Sequence, residues 1–319
     1  MTLTESELLP MDDPAPLPVV TEVDGIPVSG LLAEASAPRA VLVALHGGAT
    51  TSAYFDCPGH HELSLLRLGQ RLGYTVLALD RPGYGSSAPF ADRLAPPRRR
   101  VDLMYGAVDS LLKDHPHGAG IFLMAHSAGC ELALRMASDD RGADLLGLEM
   151  AGTGRTHHPE AQEVLWSPRP AGTRPAGLRG LLWNPQRLYP PELVGGTSIV
   201  VPGPKLEAST IENWAEHDFP HLAARVRIPV RYTAAEYEAV WRNDPEEVAG
   251  IGALFTAAPR VVLNMQPNTG HNASLGYTAA AYHLKVLSFV EECVVAASTG
   301  EFTGPTMQFD GGAQARPGR

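Results

Sequence analysis

The chain has 319 residues and a formal net charge of −10, from 25 lysine and arginine residues against 35 aspartate and glutamate residues. This acidic balance argues against a nucleic-acid-binding protein, because such proteins need a basic face to displace counterions from phosphates. Apolar residues make up 44% of the chain, which excludes wholesale disorder, and 32 glycines with 28 prolines indicate many turns rather than a helical bundle.

The cysteines and the N-terminal residues limit the chemistry and the cellular location that we expect. Cys57, Cys130 and Cys293 are far apart and form no Cys-x-x-Cys pair, so we expect neither a disulfide framework nor a metal site. Residues 1–18 lack the basic and apolar segments of a signal peptide. No apolar run reaches the roughly 18 residues of a membrane span. We therefore expect a cytoplasmic protein with no membrane and no nucleic-acid partner.

Short apolar runs alternate with helical patterns along much of the chain. Helices are predicted at 61–72, at 101–112, where apolar residues recur every three or four positions, and at 277–297. The alternation of strands and helices predicts a doubly wound, mostly parallel α/β sheet. Runs typical of buried strands lie at Val41–Leu45, Val76–Leu79, Ile121–Ala125, Leu145–Met150, Ile228–Thr233 and Arg260–Met265.

Two tails and one insertion interrupt this rhythm. Residues 1–20 and 298–319 are turn-rich and poor in apolar residues, and we predict that they form flexible tails. Residues 152–225 lack sheet periodicity and are dense in proline and arginine, which predicts a cap of short helices inserted into the sheet. Residues 21–151 and 226–297 then form the core.

The strongest local motif is Ala125-His126-Ser127-Ala128-Gly129, which follows a predicted strand and opens a helical stretch. A serine on a sharp strand-to-helix turn holds its hydroxyl clear of the backbone, beside the first amide of the next helix. The turn needs small residues two positions before and two after the serine, where the chain passes close to itself. The other interpretation is a serine that only caps the helix.

Two further motifs precede this one in the chain, and each directly follows a predicted strand. His46-Gly47-Gly48-Ala49 follows the strand at Val41–Leu45, and Asp80-Arg81-Pro82-Gly83-Tyr84-Gly85 follows the next strand. In this order and spacing the three motifs resemble the α/β-hydrolase family over about residues 38–150, and more loosely over 226–295. The resemblance implies the α/β-hydrolase fold and a triad in the chain order serine, acid, histidine.

The resemblance places the remaining triad members after Ser127. His271, just past the last predicted strand, stands where the family carries its general base; the alternative is a loop histidine that caps the next helix. Glu238 takes the position where the family usually has aspartate. Glu236 is the alternative acid, and both glutamates could be surface charges.

The resemblance also implies two backbone donors for an oxyanion. One is the amide of Ala128 at the start of the helix. The other lies in the loop after the first motif and is assigned to Gly48, with Ala49 as the next candidate. Because backbone amides supply these hydrogen bonds, the types of side chain at these positions neither support nor contradict the assignment.

These residues indicate a serine hydrolase of carboxylic esters or thioesters that forms an acyl-enzyme on Ser127, with no metal and no cofactor. The cap residues Trp166, Trp183 and Trp214 either line a pocket for an apolar or acyl small molecule or build only the core of the cap. The alternatives are a lyase, acyltransferase or cyclase of secondary metabolism, with His271 as the base, and a non-catalytic ligand-binding relative.

Overall fold

One mostly parallel sheet of nine strands forms the centre of the fold. The computed structural model describes residues 14–168, 175–196, 198–205, 207 and 213–300 and the backbone of 306–310. The sheet order is β1-β2-β4-β3-β5-β6-β7-β8-β9. Strand β2 runs antiparallel to β1 and β4, and the pairs from β4 to β9 are parallel. The strands are β1 (Leu17–Val23), β2 (Ile26–Ala33), β3 (Val41–Leu45), β4 (Thr75–Leu79), β5 (Ile121–His126), β6 (Gly147–Ala151), β7 (Val230–Ala235), β8 (Arg260–Gln266) and β9 (Thr306–Asp310).

Helices cover both faces of the sheet and bury alternate residues of each strand. Val43 of β3 packs in one core with the helices at 97–112 and 129–138, whereas Leu42 packs in a second core with the helices at 65–71 and 279–299. Burial on both faces explains why the central strands are continuously apolar. The α-helices with bounds in the described residues are α1 (Leu65–Arg71), α2 (Pro97–Leu112), α3 (Gly129–Ser138), α4 (Pro159–Leu165), α5 (Leu178–Leu182), α6 (Phe219–Ala223), α7 (Pro245–Gly252) and α8 (Ala279–Thr299).

Local signals set the limits of α1. The helix begins where the Ser64 hydroxyl accepts the Arg67 N–H at 3.2 Å, which satisfies one of the free amides of the first turn. It ends before Gly73, whose φ of +83° is the left-handed conformation that favours glycine after a helix.

Among the described residues, no helix combines the length and the hydropathy that a membrane crossing requires.

The structure corrects the two predicted tails. Residues 17–20, assigned to the N-terminal tail 1–20, belong to β1, an edge strand that has no buried apolar run because Leu17 and Val20 are each 62% exposed. At the other end, α8 continues to Thr299, and β9 pairs with β8 inside the predicted tail 298–319. Residues 1–13, 301–305 and 311–319 lie outside the described residues.

The segment between β6 and β7, where the sequence predicts a cap of short helices, contains α4, α5 and α6. A single turn of π-helix over Trp214–Asp218 leads directly into α6. Within this segment, residues 169–174, 197, 206 and 208–212 lie outside the described part of the chain. The described helices of the cap are short, which agrees with its high content of proline and glycine.

A buried ion pair joins β6, β7 and α8. Glu149 and Arg231 are neighbours across the two strands, their side chains are 0% and 1% exposed, and Arg231 Nη1 lies 3.1 Å from Glu149 Oε2. The Tyr282 hydroxyl of α8 donates to Glu149 Oε1 at 3.0 Å. Burial raises the pKa of Glu149, and the positive charge of Arg231 opposes this rise. The carboxylate therefore depends on Arg231 to remain charged inside the core.

We expect Arg231→Met to lower the free energy of unfolding by about 3–5 kcal/mol, because the Glu149 carboxylate would stay buried without its cation. A double variant with Glu149→Leu and Arg231→Met should recover most of this loss, since both charges are then absent. Urea denaturation followed by circular dichroism measures both changes.

The matched control for this experiment is Arg98→Met. Arg98 also pairs with a carboxylate, that of Asp102, but its side chain is 85% exposed. We expect this change to alter the free energy of unfolding by less than about 0.5 kcal/mol. If Arg231→Met were no more destabilising than the control, the buried Glu149 carboxylate would not depend on Arg231.

Candidate active site

Ser127 lies at the turn between β5 and α3, where the parallel strands end. Its φ is +51°, a left-handed conformation that is rare for a residue with a side chain. The Ser127 N–H donates to the carbonyl of Ala151, at the end of β6, at 2.8 Å. Gly129 lets α3 start against β3, since a Cβ on it would lie 2.4 Å from the Leu45 carbonyl oxygen. Contacts with both neighbouring strands thus hold the turn in its strained form.

His271 lies in the loop after β8, and its Nε2 atom is 3.1 Å from Ser127 Oγ. Its imidazole is 2% exposed. The His271 carbonyl lies 2.8 Å from Nε2 of His126, the residue before the serine. Burial, with a smaller effect of the His271 ring, lowers the pKa of His126 to about 3. His126 is therefore neutral, and it donates its Nε2–H to the backbone of His271.

Glu238 lies in the loop after β7, and both of its carboxylate oxygens are 3.0 Å from His271 Nδ1. Its side chain is 5% exposed. Burial disfavours the charged form of Glu238, but the His271 ring and the backbone amides of Val240 and Trp241 outweigh this effect and hold its pKa below the ordinary value. A carboxylate at this place accepts the Nδ1–H of His271 and leaves Nε2 free to accept a proton from Ser127.

The two candidate acids occupy different environments. Glu236 is exposed, and its Oε2 accepts the backbone N–H of Asn268 at 2.6 Å. The chain turns after Glu236, with the Glu238 N–H donating to the Ala235 carbonyl at 3.1 Å. Of these two glutamates, both of which are described, the turn brings Glu238 and not Glu236 to His271.

The loop after β3 and the start of α3 border the same space beside Ser127. A Cβ placed on Gly48 would lie 3.9 Å from the Cβ of Ala128. Within the described residues, neither of these two amides donates a hydrogen bond to another residue. The Ala49 amide, the other candidate, donates to the Tyr84 hydroxyl at 2.8 Å and is therefore already engaged.

Gly48, Ser127, Ala128 and His271 line a cavity of about 480 Å³ between the sheet and the cap. Two of the three cap tryptophans, Trp183 and Trp214, form part of its wall, whereas Trp166 is 57% exposed. Sequence reasoning missed Trp241, which lines the cavity and stacks on His157 with 3.9 Å between ring centroids. The walls are largely apolar and aromatic, as in pockets that bind small organic molecules.

Sequence reasoning also missed Glu207, a cap residue that reaches into the site. Its Oε2 accepts a hydrogen bond of 2.6 Å from the Tyr84 hydroxyl, and its Oε1 pairs with Arg81. No motif surrounds Glu207 in the sequence, so nothing local could have identified it. Tyr84 and Arg81, its partners, both belong to the motif after β4.

Cys130 lies close to Ser127 in the sequence, but its thiol is buried and protonated rather than exposed as a thiolate. It is 0% exposed, and burial raises the pKa of its thiol. Its Sγ lies 3.4 Å from the Ala151 carbonyl, to which the thiol donates. Among the described residues, no group of three or more His, Cys, Asp or Glu side chains is arranged to hold a metal ion.

Three solved structures illustrate the similarity of the fold to known proteins. The thioesterase domain from the curacin biosynthetic pathway is 18% identical, with a TM-score of 0.55 over 86% of this chain and 99% of that one. E-2-(acetamidomethylene)succinate hydrolase is 16% identical, with a TM-score of 0.62 over 86% and 99%. Epoxide hydrolase VrEH1 from Vigna radiata is 15% identical, with a TM-score of 0.61 over 89% and 99%.

Sequence comparison gives the family. Protein ABHD14A of Danio rerio is 38% identical over 100 residues, which are 28% of this chain and 35% of that protein. The matched region thus spans about a third of the length of this curated relative. A model of the alpha/beta hydrolase family matches residues 41–282, which include β3, the Ser127 turn and the His271 loop. The chain therefore belongs to the alpha/beta hydrolase family.

Proposed function

We propose that the protein is a serine hydrolase of carboxylic esters or thioesters. One observation carries the proposal: Ser127 Oγ lies 3.1 Å from the His271 ring on the wall of a cavity, and the Glu238 carboxylate lies 3.0 Å from the other side of that ring. A buried imidazole whose Nδ1–H is held by a carboxylate presents its Nε2 lone pair to the serine hydroxyl. That arrangement makes the hydroxyl reactive at neutral pH.

In the acylation step, Ser127 Oγ attacks the acyl carbon while its proton passes to His271 Nε2. The carbonyl oxygen becomes an oxyanion, which accepts hydrogen bonds from the amides of Gly48 and Ala128. Glu238 stabilises the imidazolium that has formed. His271 then gives its proton to the leaving alkoxide or thiolate, and the alcohol or thiol departs.

In the deacylation step, water replaces the alcohol or thiol. His271 accepts a proton from the water as its oxygen attacks the ester carbon of the acyl-enzyme, and the same amides bind the second oxyanion. The proton returns to Ser127 Oγ as the ester bond breaks. The carboxylic acid is released and the free serine is restored.

The cavity supports a small-molecule substrate with an apolar acyl or alcohol group. Its volume of about 480 Å³ suits a molecule of moderate size, and aromatic side chains such as those of Trp183, Trp214 and Trp241 offer apolar contact. The similar structures whose names include a thioesterase and a hydrolase agree with this class of reaction.

We expect a fluorophosphonate probe to label the wild-type chain on Ser127, because an activated serine attacks phosphorus as it does an acyl carbon. Ser127→Ala should prevent labelling, and His271→Ala should slow it strongly, since no base then accepts the proton. Intact-mass and peptide mass spectrometry measure the modification. A folded wild-type chain that stays unlabelled would contradict an activated serine.

Oxygen-18 water tests the same proposal on a substrate that the chain turns over. Hydrolysis through an acyl-enzyme places the label in the carboxylic acid product. Elimination, the reaction expected of a lyase, breaks the bond between the alkyl carbon and oxygen and leaves the acid unlabelled. An unlabelled acid therefore contradicts the proposed hydrolase.

We expect Glu238→Gln to lower kcat by roughly 10³–10⁴-fold, because an amide can donate to His271 Nδ1 and thereby favour the wrong tautomer. Glu236→Gln is the matched control, since it makes the same change to an exposed glutamate of the same loop. The control should leave kcat near the wild-type value with a p-nitrophenyl ester. Equal losses in both variants would show that the assignment of the acid is wrong.

A further inference from the structure

The loop His46–Ala49, which follows β3, contains an unfavourable backbone conformation at its end. The φ of Ala49 is +56°, in the left-handed region that residues with a Cβ rarely adopt. Such a residue keeps this conformation only where its surroundings hold it there. Gly48, whose amide we propose as an oxyanion donor, directly precedes Ala49. A relaxation of Ala49 would therefore shift the Gly48 amide.

The cap holds Ala49 through both of its backbone polar groups. The Ala49 carbonyl accepts the N–H of Val201 at 3.0 Å. The Ala49 N–H donates to the Tyr84 hydroxyl at 2.8 Å, and this hydroxyl in turn donates to Glu207 Oε2 at 2.6 Å. Val201 and Glu207 both belong to the segment between β6 and β7. The left-handed turn at Ala49 is thus tied to the cap on each side.

Arg81 completes the connection between the cap and the loop. Its guanidinium pairs with Glu207 Oε1, and its Nη2 also donates to the Gly47 carbonyl at 2.9 Å. The side chains of Arg81 and Glu207 are 7% and 15% exposed, and Tyr84 is 1% exposed. Hydrogen bonds of charged groups shielded from water are strong, so the cluster can hold a strained turn.

The charge of Arg81 has a second effect. A Cβ on Gly48 would lie only 3.3 Å from Glu207 Oε2, so the carboxylate is close to the place where an oxyanion would form. An unpaired carboxylate there would oppose the developing negative charge. The guanidinium of Arg81 balances the negative charge of Glu207, so Glu207 can hold the loop without repelling the oxyanion.

We propose that Glu207 is a positioning residue: through Tyr84 it keeps Ala49 left-handed and so directs the Gly48 amide at the oxyanion. The inference rests on the proposed function and extends it, because it gives the cap a part in the rate of acylation. Glu207 acts on the loop and is not required to touch the substrate.

The first test is Glu207→Ala, with a p-nitrophenyl ester as substrate. We expect kcat to fall at least about tenfold, since loss of one oxyanion donor costs about 10²–10³-fold and here the donor is displaced rather than removed. KM should change much less than kcat, and fluorophosphonate labelling should slow by a similar factor. If KM rose while kcat stayed constant, Glu207 would be a substrate-binding residue and the inference would be wrong.

Glu216→Ala is the matched control, because Glu216 is an exposed carboxylate of the same cap. Its kcat should match that of the wild type. Tyr84→Phe is a second test that leaves the Arg81–Glu207 pair in place, and it should lower kcat as Glu207→Ala does. Thermal unfolding of each variant shows that it is folded at the assay temperature. If both Glu207→Ala and Tyr84→Phe matched the control, the inference would fail.

An Ala49→Gly background separates positioning from a general structural role. Glycine adopts left-handed backbone freely, so the loop then depends less on the cap. We expect the factor by which Glu207→Ala lowers kcat to be several times smaller in this background than in the wild type. An equal factor in both backgrounds would overturn the inference. A wild-type chain that neither hydrolyses the ester nor reacts with the fluorophosphonate would instead contradict the proposed function.

Discussion

The left-handed backbone of Ser127 is held by the strands on either side of β5. The Ser127 N–H bonds to the end of β6, and Gly129 starts α3 against the last carbonyl of β3. The sheet, rather than a single loop, therefore determines where the Ser127 hydroxyl lies. Because parallel strands end at one edge, the loops after β7 and β8 bring Glu238 and His271 to the same place. Residues far apart in the chain meet there without long connections.

Two buried carboxylates show how their partners decide the electrostatics of the fold and of the site. Glu149 faces a permanently charged guanidinium, and burial nevertheless raises its pKa. Glu238 faces an imidazole and backbone amides, which together hold its pKa below the ordinary value. The attraction between Glu238 and His271 is greatest when the imidazole carries a proton, which is its state in the proposed transition state. An interaction that strengthens in this way accelerates the reaction, whereas a constant one only stabilises the fold.

The central strands and the Ser127 turn could be predicted because their signals are local. β3 spans the predicted range Val41–Leu45, and β8 begins at the predicted Arg260. The choice between Glu236 and Glu238 depended on the turn after β7, whose path no short pattern fixes. Glu207 could not be predicted at all, since its contacts with Arg81 and Tyr84 join distant parts of the chain. The same holds for β9, whose alternation of apolar and polar residues is too short to be decisive without its pairing to β8.

The three cysteines of the chain are all buried and unpaired. Burial raises the pKa of Cys57 and of Cys293 to about 12, so both stay protonated thiols, and the thiol of Cys130 is shifted in the same direction. Oxidants attack thiolates at accessible positions, and none of these side chains offers one. The three cysteines form no disulfide with one another, and the proposed reaction uses none of their thiols. The burial of the three thiols therefore shields them from thiol–disulfide exchange.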